Sequence, residues 1–167
     1  MRRPLLLMIF FSISIFSTYA LHKKVPLPVD LVYYIVQECN AQKVPSILVF
    51  SMIDEESDYI LTAVNRRNPD GTTDHGLLQL NSEYIPWYID MFGDPGIEYD
   101  PYHNPYHNVQ LGIRYLAWLK KEMKGDTLKA LYCYNWGINK VKRAYKNGKP
   151  IPPEVIAYAK RILTRIS

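Results

Sequence analysis

Apolar residues recur at Leu31, Val32, Ile35, Val36 and Cys39 with the spacing of one helix face, which predicts a first amphipathic helix with Asp30 as its cap. Pro45 and Ser46 open a second helix over residues 47–56, where Val49, Ile53 and Glu56 fall along one line. Glu56 thus ends an apolar stripe. Between residues 62 and 81 the helical period is lost. Asn68-Pro69-Asp70-Gly71 is a turn signal and Thr72-Thr73 a weak strand signal, so a short β-hairpin is expected there. Residues 100–107, with two prolines among tyrosines, histidines and asparagines, predict an ordered loop. A helix follows over residues 108–123, with Val109, Ile113, Leu116, Leu119 and Met123 inward, and Gly125 stops it. Asp126 or Thr127 caps a helix reaching residue 134, after which Asn135-Trp136-Gly137 interrupts the pattern. A further helix aligns Ile138, Val141 and Tyr145. Beyond Gly148 and a proline cluster, the last carries Val155, Ile156, Ala159, Ile162, Leu163 and Ile166. The fold class is α+β, mostly helical, with one small β-hairpin.

The first twenty residues stand apart: Arg2 and Arg3, an uncharged apolar run over residues 5–16, then Ser17, Thr18, Tyr19 and Ala20. That order predicts a signal peptide cleaved before Leu21, hence a periplasmic or otherwise exported protein, with retention as a membrane anchor as the alternative. Residues 21–29 read as a linker and 30–167 as one catalytic domain, since 167 residues are short for two domains of ordinary size. With 48% hydrophobic and 22% charged residues the chain lies far from disordered compositions. Loss of residues 1–20 removes two arginines from a net charge of +4, leaving +2, too weak a field to argue for nucleic acid. Cys39 and Cys133 both lie in the exported part, where either a disulfide or two buried thiols fits.

The chemistry centres on Asp54-Glu55-Glu56. General acid catalysis needs a carboxyl still protonated near neutral pH, and a carboxyl gains that by burial or a negative neighbour. A helix C-terminus supplies partial negative charge and the apolar stripe supplies desolvation, which favours Glu56, with Asp54 and Glu55 as rivals. The reading for those two is a solvated helix end. His75, His103 and His107 invite a metal reading, but Pro105 between the last two argues against a helical ligand pair, so no metal or cofactor is expected. Tyr84, Trp87, Tyr88, Tyr102 and Trp118 are candidates for stacking on a ligand's rings, none assigned individually.

Five patterns occur in order: Glu56-Ser57; Gly76-Leu77-Leu78-Gln79; Asn108-Val109 with Gly112 and Tyr115-Leu116; Tyr134-Asn135-Trp136-Gly137; and the closing helix after Pro153. Together they resemble the lytic transglycosylases (SLT domain) of the lysozyme-like superfamily, with departures at Leu78, where Met is usual, and Trp136, where a small residue is common. The Glu-Ser match selects Glu56 over its rivals. The resemblance implies a lysozyme-like fold and a peptidoglycan-cleaving enzyme. It implies that Ser57 lies beside the acid and orients its carboxylate, that Gln79 hydrogen-bonds in the cleft, and that Tyr134 points its hydroxyl toward the acid. Asn135 would stabilise a turn and Asn65 would face the acetamido group of a bound sugar. A buried amide holding the hairpin stays open for Gln79, as does a core aromatic for Tyr134.

Residues 68–81, NPDGTTDHGLLQLN, also resemble the hairpin of animal-type lysozymes, a feature shared with a specialised subgroup of transglycosylases associated with secretion machinery, which makes a secretion or flagellar assembly apparatus a candidate partner. This puts Asp74 in the place of the lysozyme's second carboxylate. The expected reaction is cleavage of the MurNAc-GlcNAc bond by a lyase, with a 1,6-anhydro product. Two alternatives stand beside it: a muramidase that hydrolyses the same bond with Glu56 and Asp74, and a non-catalytic peptidoglycan-binding protein.

Overall fold

The computed structural model describes residues 25–167; the signal-peptide reading of residues 1–20 lies outside the described residues. Among the described residues seven helices and three two-residue strands follow in order: α1 (Val29–Gln42), α2 (Ser46–Ser57), β1 (Val64–Asn65), β2 (Asp74–His75), β3 (Leu80–Asn81), α3 (Ile85–Phe92), α4 (Pro105–Glu122), α5 (Thr127–Trp136), α6 (Ile138–Lys146) and α7 (Pro153–Thr164). No described helix is long and apolar enough to cross a membrane.

Helix α2 is the buried centre. Leu48, Val49, Phe50, Met52 and Ile53 are at most 2% exposed, so the helix is enclosed on several sides and not along a single stripe. Helices α1 and α7 flank it, and α4 packs between α1 and α5. The Ser51 hydroxyl donates to the Ile162 carbonyl at 2.8 Å, fixing α7 to α2. Val25 and Leu27, in the stretch read as a linker, are buried in the same core.

Where α2 ends, Asp58 and Tyr59 both take left-handed backbone conformations, φ 50° and 59°. Such geometry is costly for side chains with a Cβ, most of all for a bulky one. It is held by Asp58 N–H on the Asp54 carbonyl and by the Tyr59 hydroxyl on the Phe50 carbonyl, both 3.1 Å. The chain therefore turns away sharply and leaves Glu56 at the rim of the core.

The β excursion is larger than one hairpin. Strands β1, β2 and β3 form an antiparallel sheet in that order, with Val64 opposite His75 and Asp74 opposite Asn81. Thr72 and Thr73 lie in the loop between the Pro69-Asp70 turn and β2, not in a strand.

Two capping expectations need correction. Asp30 does not cap α1: it sits in the first turn and its carboxylate accepts the Tyr106 hydroxyl at 2.6 Å, a partner 76 positions away. Helix α4 begins at Pro105 and not at residue 108, because Asn104 caps the Tyr106 and His107 amides while Pro105 supplies a helical φ. Cys39 and Cys133 are free thiols, fully buried, so both pack as small hydrophobes.

Candidate active site

Glu56 occupies the last turn of α2. The residue keeps partial contact with solvent, while its carboxyl lies in a dense shell of protein atoms. Burial pushes its pKa up to about 8, the charges of Asp74 and Glu55 push the same way, and a hydrogen bond from Tyr158 opposes them. That bond is short, 2.5 Å from the Tyr158 hydroxyl to Oε1. Burial, then the Glu56 charge, hold the Tyr158 phenol well above its ordinary range, so it remains a neutral donor.

The residues around Glu56 hold a turn in place. Gly76 and Gln79 have positive φ, 73° and 44°, and the turn between them carries Leu77 and Leu78 into the core. Ser57, from α2, places its hydroxyl 3.0 Å from the Leu77 carbonyl and 2.9 Å from the Ile53 carbonyl. The Tyr134 hydroxyl, from α5, donates to the Leu78 carbonyl at 2.8 Å. Asn108, from α4 and 1% exposed, accepts from the Leu78 amide and donates to the carbonyls of His75 and Pro101. A Cβ on Gly112 would lie 2.5 Å from Leu78 Cδ1, and one on Gly76 would strike the Asn108 amide. The sequence patterns thus converge on residues 76–79, directly beside the acid.

This arrangement assigns each candidate a place. The Ser57 proton goes to a backbone carbonyl, so the residue locates Glu56 through the turn and not by a bond to its carboxylate. Tyr134 lies close enough for the Glu56 charge to raise its pKa, behind the larger effect of burial, but its hydroxyl serves Leu78. Gln79 donates to the carbonyls of Ala63 and Gly76, bracing the hairpin. Asn135 is exposed within the final turn of α5.

Asp74 is held by amides on every side. Asn65 and Asn68 donate to Oδ2 at 3.0 and 2.9 Å, and Asn81 donates to Oδ1 at 2.8 Å. Three N–H donors match the acceptor lone pairs of a carboxylate. The side chain of Asn65 is itself committed to this cluster, its amide nitrogen to Asn68 and Asp74 and its oxygen to the Arg67 amide.

Asp54 and Glu55 are not a solvated helix end. Both oxygens of Glu55, 11% exposed, are taken by Arg161 and Arg165, and Asp54 pairs with Arg165 at 2.7 Å. Burial works to raise the Glu55 pKa, but the hydrogen bonds and charges of the two arginines outweigh it and hold the carboxyl low. Asp54 and Glu55 put negative charge at a helix C-terminus, against the helix dipole, and Arg161 and Arg165 compensate.

Tyr158 was not among the sequence candidates. Its signal was positional: it lies between Val155 and Ile162 on the face that also carries Ala159. The aromatics form one wall, from Tyr134 through Tyr115, 5.4 Å between centroids, to Trp87 at 6.0 Å. Trp87 is 37% exposed and Tyr84, nearby in sequence, 51%. Among the described residues no group of three or more His, Cys, Asp or Glu side chains could hold a metal. His107 Nδ1 accepts the Asp100 amide, and His103 Nδ1 meets the Asp100 carboxylate.

The Transglycosylase SLT domain model matches residues 33–152. Among solved structures, an inactive glutamate-to-glutamine mutant of lytic transglycosylase Slt from Pseudomonas aeruginosa is similar at 21% identity and a TM-score of 0.68. The 70 kDa soluble lytic transglycosylase SLT70 from Escherichia coli is similar at 20% identity and a TM-score of 0.69. A complex of the 70-kDa soluble lytic transglycosylase with bulgecin A is similar at 19% and 0.69. Each alignment covers 87% of this chain and 24% of the other, so the chain spans about a quarter of the length of these enzymes. No curated protein matches significantly. The shared fold is lysozyme-like, mostly helical with a small antiparallel sheet.

Proposed function

Because the chain belongs to the Transglycosylase SLT domain family, we propose that it is an exported lytic transglycosylase that cleaves the MurNAc-GlcNAc bond of peptidoglycan, with Glu56 as the catalytic acid. The observation that carries this reading is the Glu56 environment: a carboxyl with a pKa of about 8, reachable from solvent and aimed by Tyr158. At neutral pH such a group holds a proton to give to the glycosidic oxygen. Its conjugate base is then stronger than an ordinary carboxylate and can take a proton from the 6-hydroxyl of MurNAc. The 6-oxygen closes on C1, and a 1,6-anhydro ring forms with no water consumed. Between the two steps the substrate's own acetamido group stabilises the oxocarbenium-like centre.

What favours the lyase over the hydrolase is that the Tyr134-Asn135 pattern and the helices around it resemble transglycosylases more than animal lysozymes; in this reading Asp74, with amides on both oxygens, serves the hairpin. The muramidase alternative draws on the proximity of the two carboxylates, since the Asp74 charge acts on Glu56. Gln79 and the exposed Asn135 are proposed substrate contacts, whereas the Asn65 side chain is spent within the Asp74 cluster; the exposed edges of Tyr84 and Trp87 are proposed sugar-stacking surfaces. Service to a secretion or flagellar apparatus rests on the resemblance of residues 68–81 alone. The P. aeruginosa structure, of a mutant inactivated by one glutamate-to-glutamine change, is consistent with a single essential glutamate in such enzymes.

Digestion of purified murein in ¹⁸O-labelled water tests the reading. Anhydro-ended muropeptides free of label are expected. Labelled reducing ends, lost on Asp74→Asn, would make the enzyme a muramidase, and no release of muropeptides would favour a binding protein.

A further inference from the structure

Glu55, adjacent to the acid, is the hub of a four-residue ionic network that joins the end of α2 to the second half of α7. Arg161 meets Glu55 Oε1 at 2.6 Å, and Arg165 meets Glu55 Oε2 at 2.8 Å and Asp54 Oδ2 at 2.7 Å. On α7, Tyr158 precedes Arg161 by one turn, so the helix that the network fastens is the one that delivers the phenol to Glu56. Resting on the reading of Glu56 as the acid, we propose that Arg161 and Arg165, acting through Glu55, form a positioning clamp that seats Tyr158 on Glu56 and cancels the negative charge next to it.

Two physical effects follow, and they have the same sign. The groups facing Glu56 are Glu55 on its own helix, Asp74 on β2, Tyr134 on α5 and Tyr158 on α7; Arg161 and Arg165 act at one remove, on Glu55. With both arginines neutral, the Glu55 charge acts on Glu56 without compensation, and the Glu56 proton is held more tightly. A looser α7 also weakens the Tyr158 bond, which favours the ionised form, and again the proton is held more tightly. The pH above which the acid is lost therefore rises. A network that merely stabilised the fold would lower the melting temperature without moving that pH.

The test is the pH profile of kcat/KM on purified murein for the wild type, Arg161→Gln, the Arg161→Gln/Arg165→Gln double variant, and Arg161→Lys/Arg165→Lys as the charge-preserving control. In the double Gln variant the alkaline limb should move up by about half a pH unit or more and kcat fall several-fold. The Lys control should restore the limb. Arg161 is 54% exposed, so Arg161→Gln alone should fold and move the limb in the same direction by less. Unmoved limbs in both Gln variants would overturn the clamp. Glu56→Gln run in parallel separates the two claims: an active Glu56→Gln would remove the acid itself, whereas an inactive one with unmoved limbs removes only the clamp.

Discussion

The Tyr158 hydroxyl lies 2.5 Å from the Glu56 carboxylate, although 102 positions separate the two residues. The bond brings a neutral, buried phenol onto an acid that burial would otherwise hold protonated still more firmly. It tempers the acid and aims it. Removing the hydroxyl with Tyr158→Phe should raise the alkaline limb of the kcat/KM profile and lower kcat by roughly tenfold, since a general acid works only when aligned with the proton acceptor. A limb unchanged or shifted downward would contradict this role.

Burial of Glu56 also has a cost in stability whose sign is fixed. Its folded pKa, about 8, lies above the ordinary 4.5, so its contribution is fully favourable below about 4.5 and is lost as pH rises through 8. Glu56→Gln cannot ionise. Relative to the wild type, the variant should gain melting temperature steadily between those two values, as measured by thermal denaturation at a series of pH values. A difference independent of pH would mean that Glu56 titrates normally.

Asn108 clips the turn at residues 76–79 to α4 with three hydrogen bonds while 1% exposed. Asn108→Ala leaves the Leu78 amide and the carbonyls of His75 and Pro101 without those partners. Each orphaned buried group costs about 1–3 kcal/mol, so a loss of roughly 3 kcal/mol is expected in chemical denaturation. Activity should fall with it, because the same turn anchors Ser57 and Tyr134 beside the acid.

The sequence exposed what local chemistry determines. The burial of the Glu56 carboxyl was legible because Val49 and Ile53 set the helix phase; the 68–81 segment was legible because Asn-Pro-Asp-Gly can hardly be anything but a turn. Asn104-Pro105 carried an equally local cap signal, and reading the region as a loop shortened α4 by three residues. The partners of Asp30, Glu55 and Glu56 could not be read in this way. They lie 76 to 110 positions away, on helices whose docking is decided by the whole core. Charges at a helix end that oppose its dipole signal only that a distant cation is needed, not which one.

Asp74→Asn separates the roles open to the second carboxylate. As the acceptor for Asn65, Asn68 and Asn81, Asp74 organises the sheet beside the acid. The substitution puts an amide where three amides donate, so melting temperature should fall and the rate should drop by about tenfold, with anhydro products retained. Loss of activity as complete as that from removing Glu56, in a folded protein, would make Asp74 a participant in the chemistry.

Glu56→Gln keeps the side chain's shape and removes its titratable proton, so turnover on purified murein tests the assignment most directly. Release of muropeptides should fall by at least about 100-fold, with the circular dichroism spectrum and cooperative unfolding intact. Comparable turnover in Glu56→Gln, or a larger loss from Glu55→Gln, would show that the acid lies elsewhere.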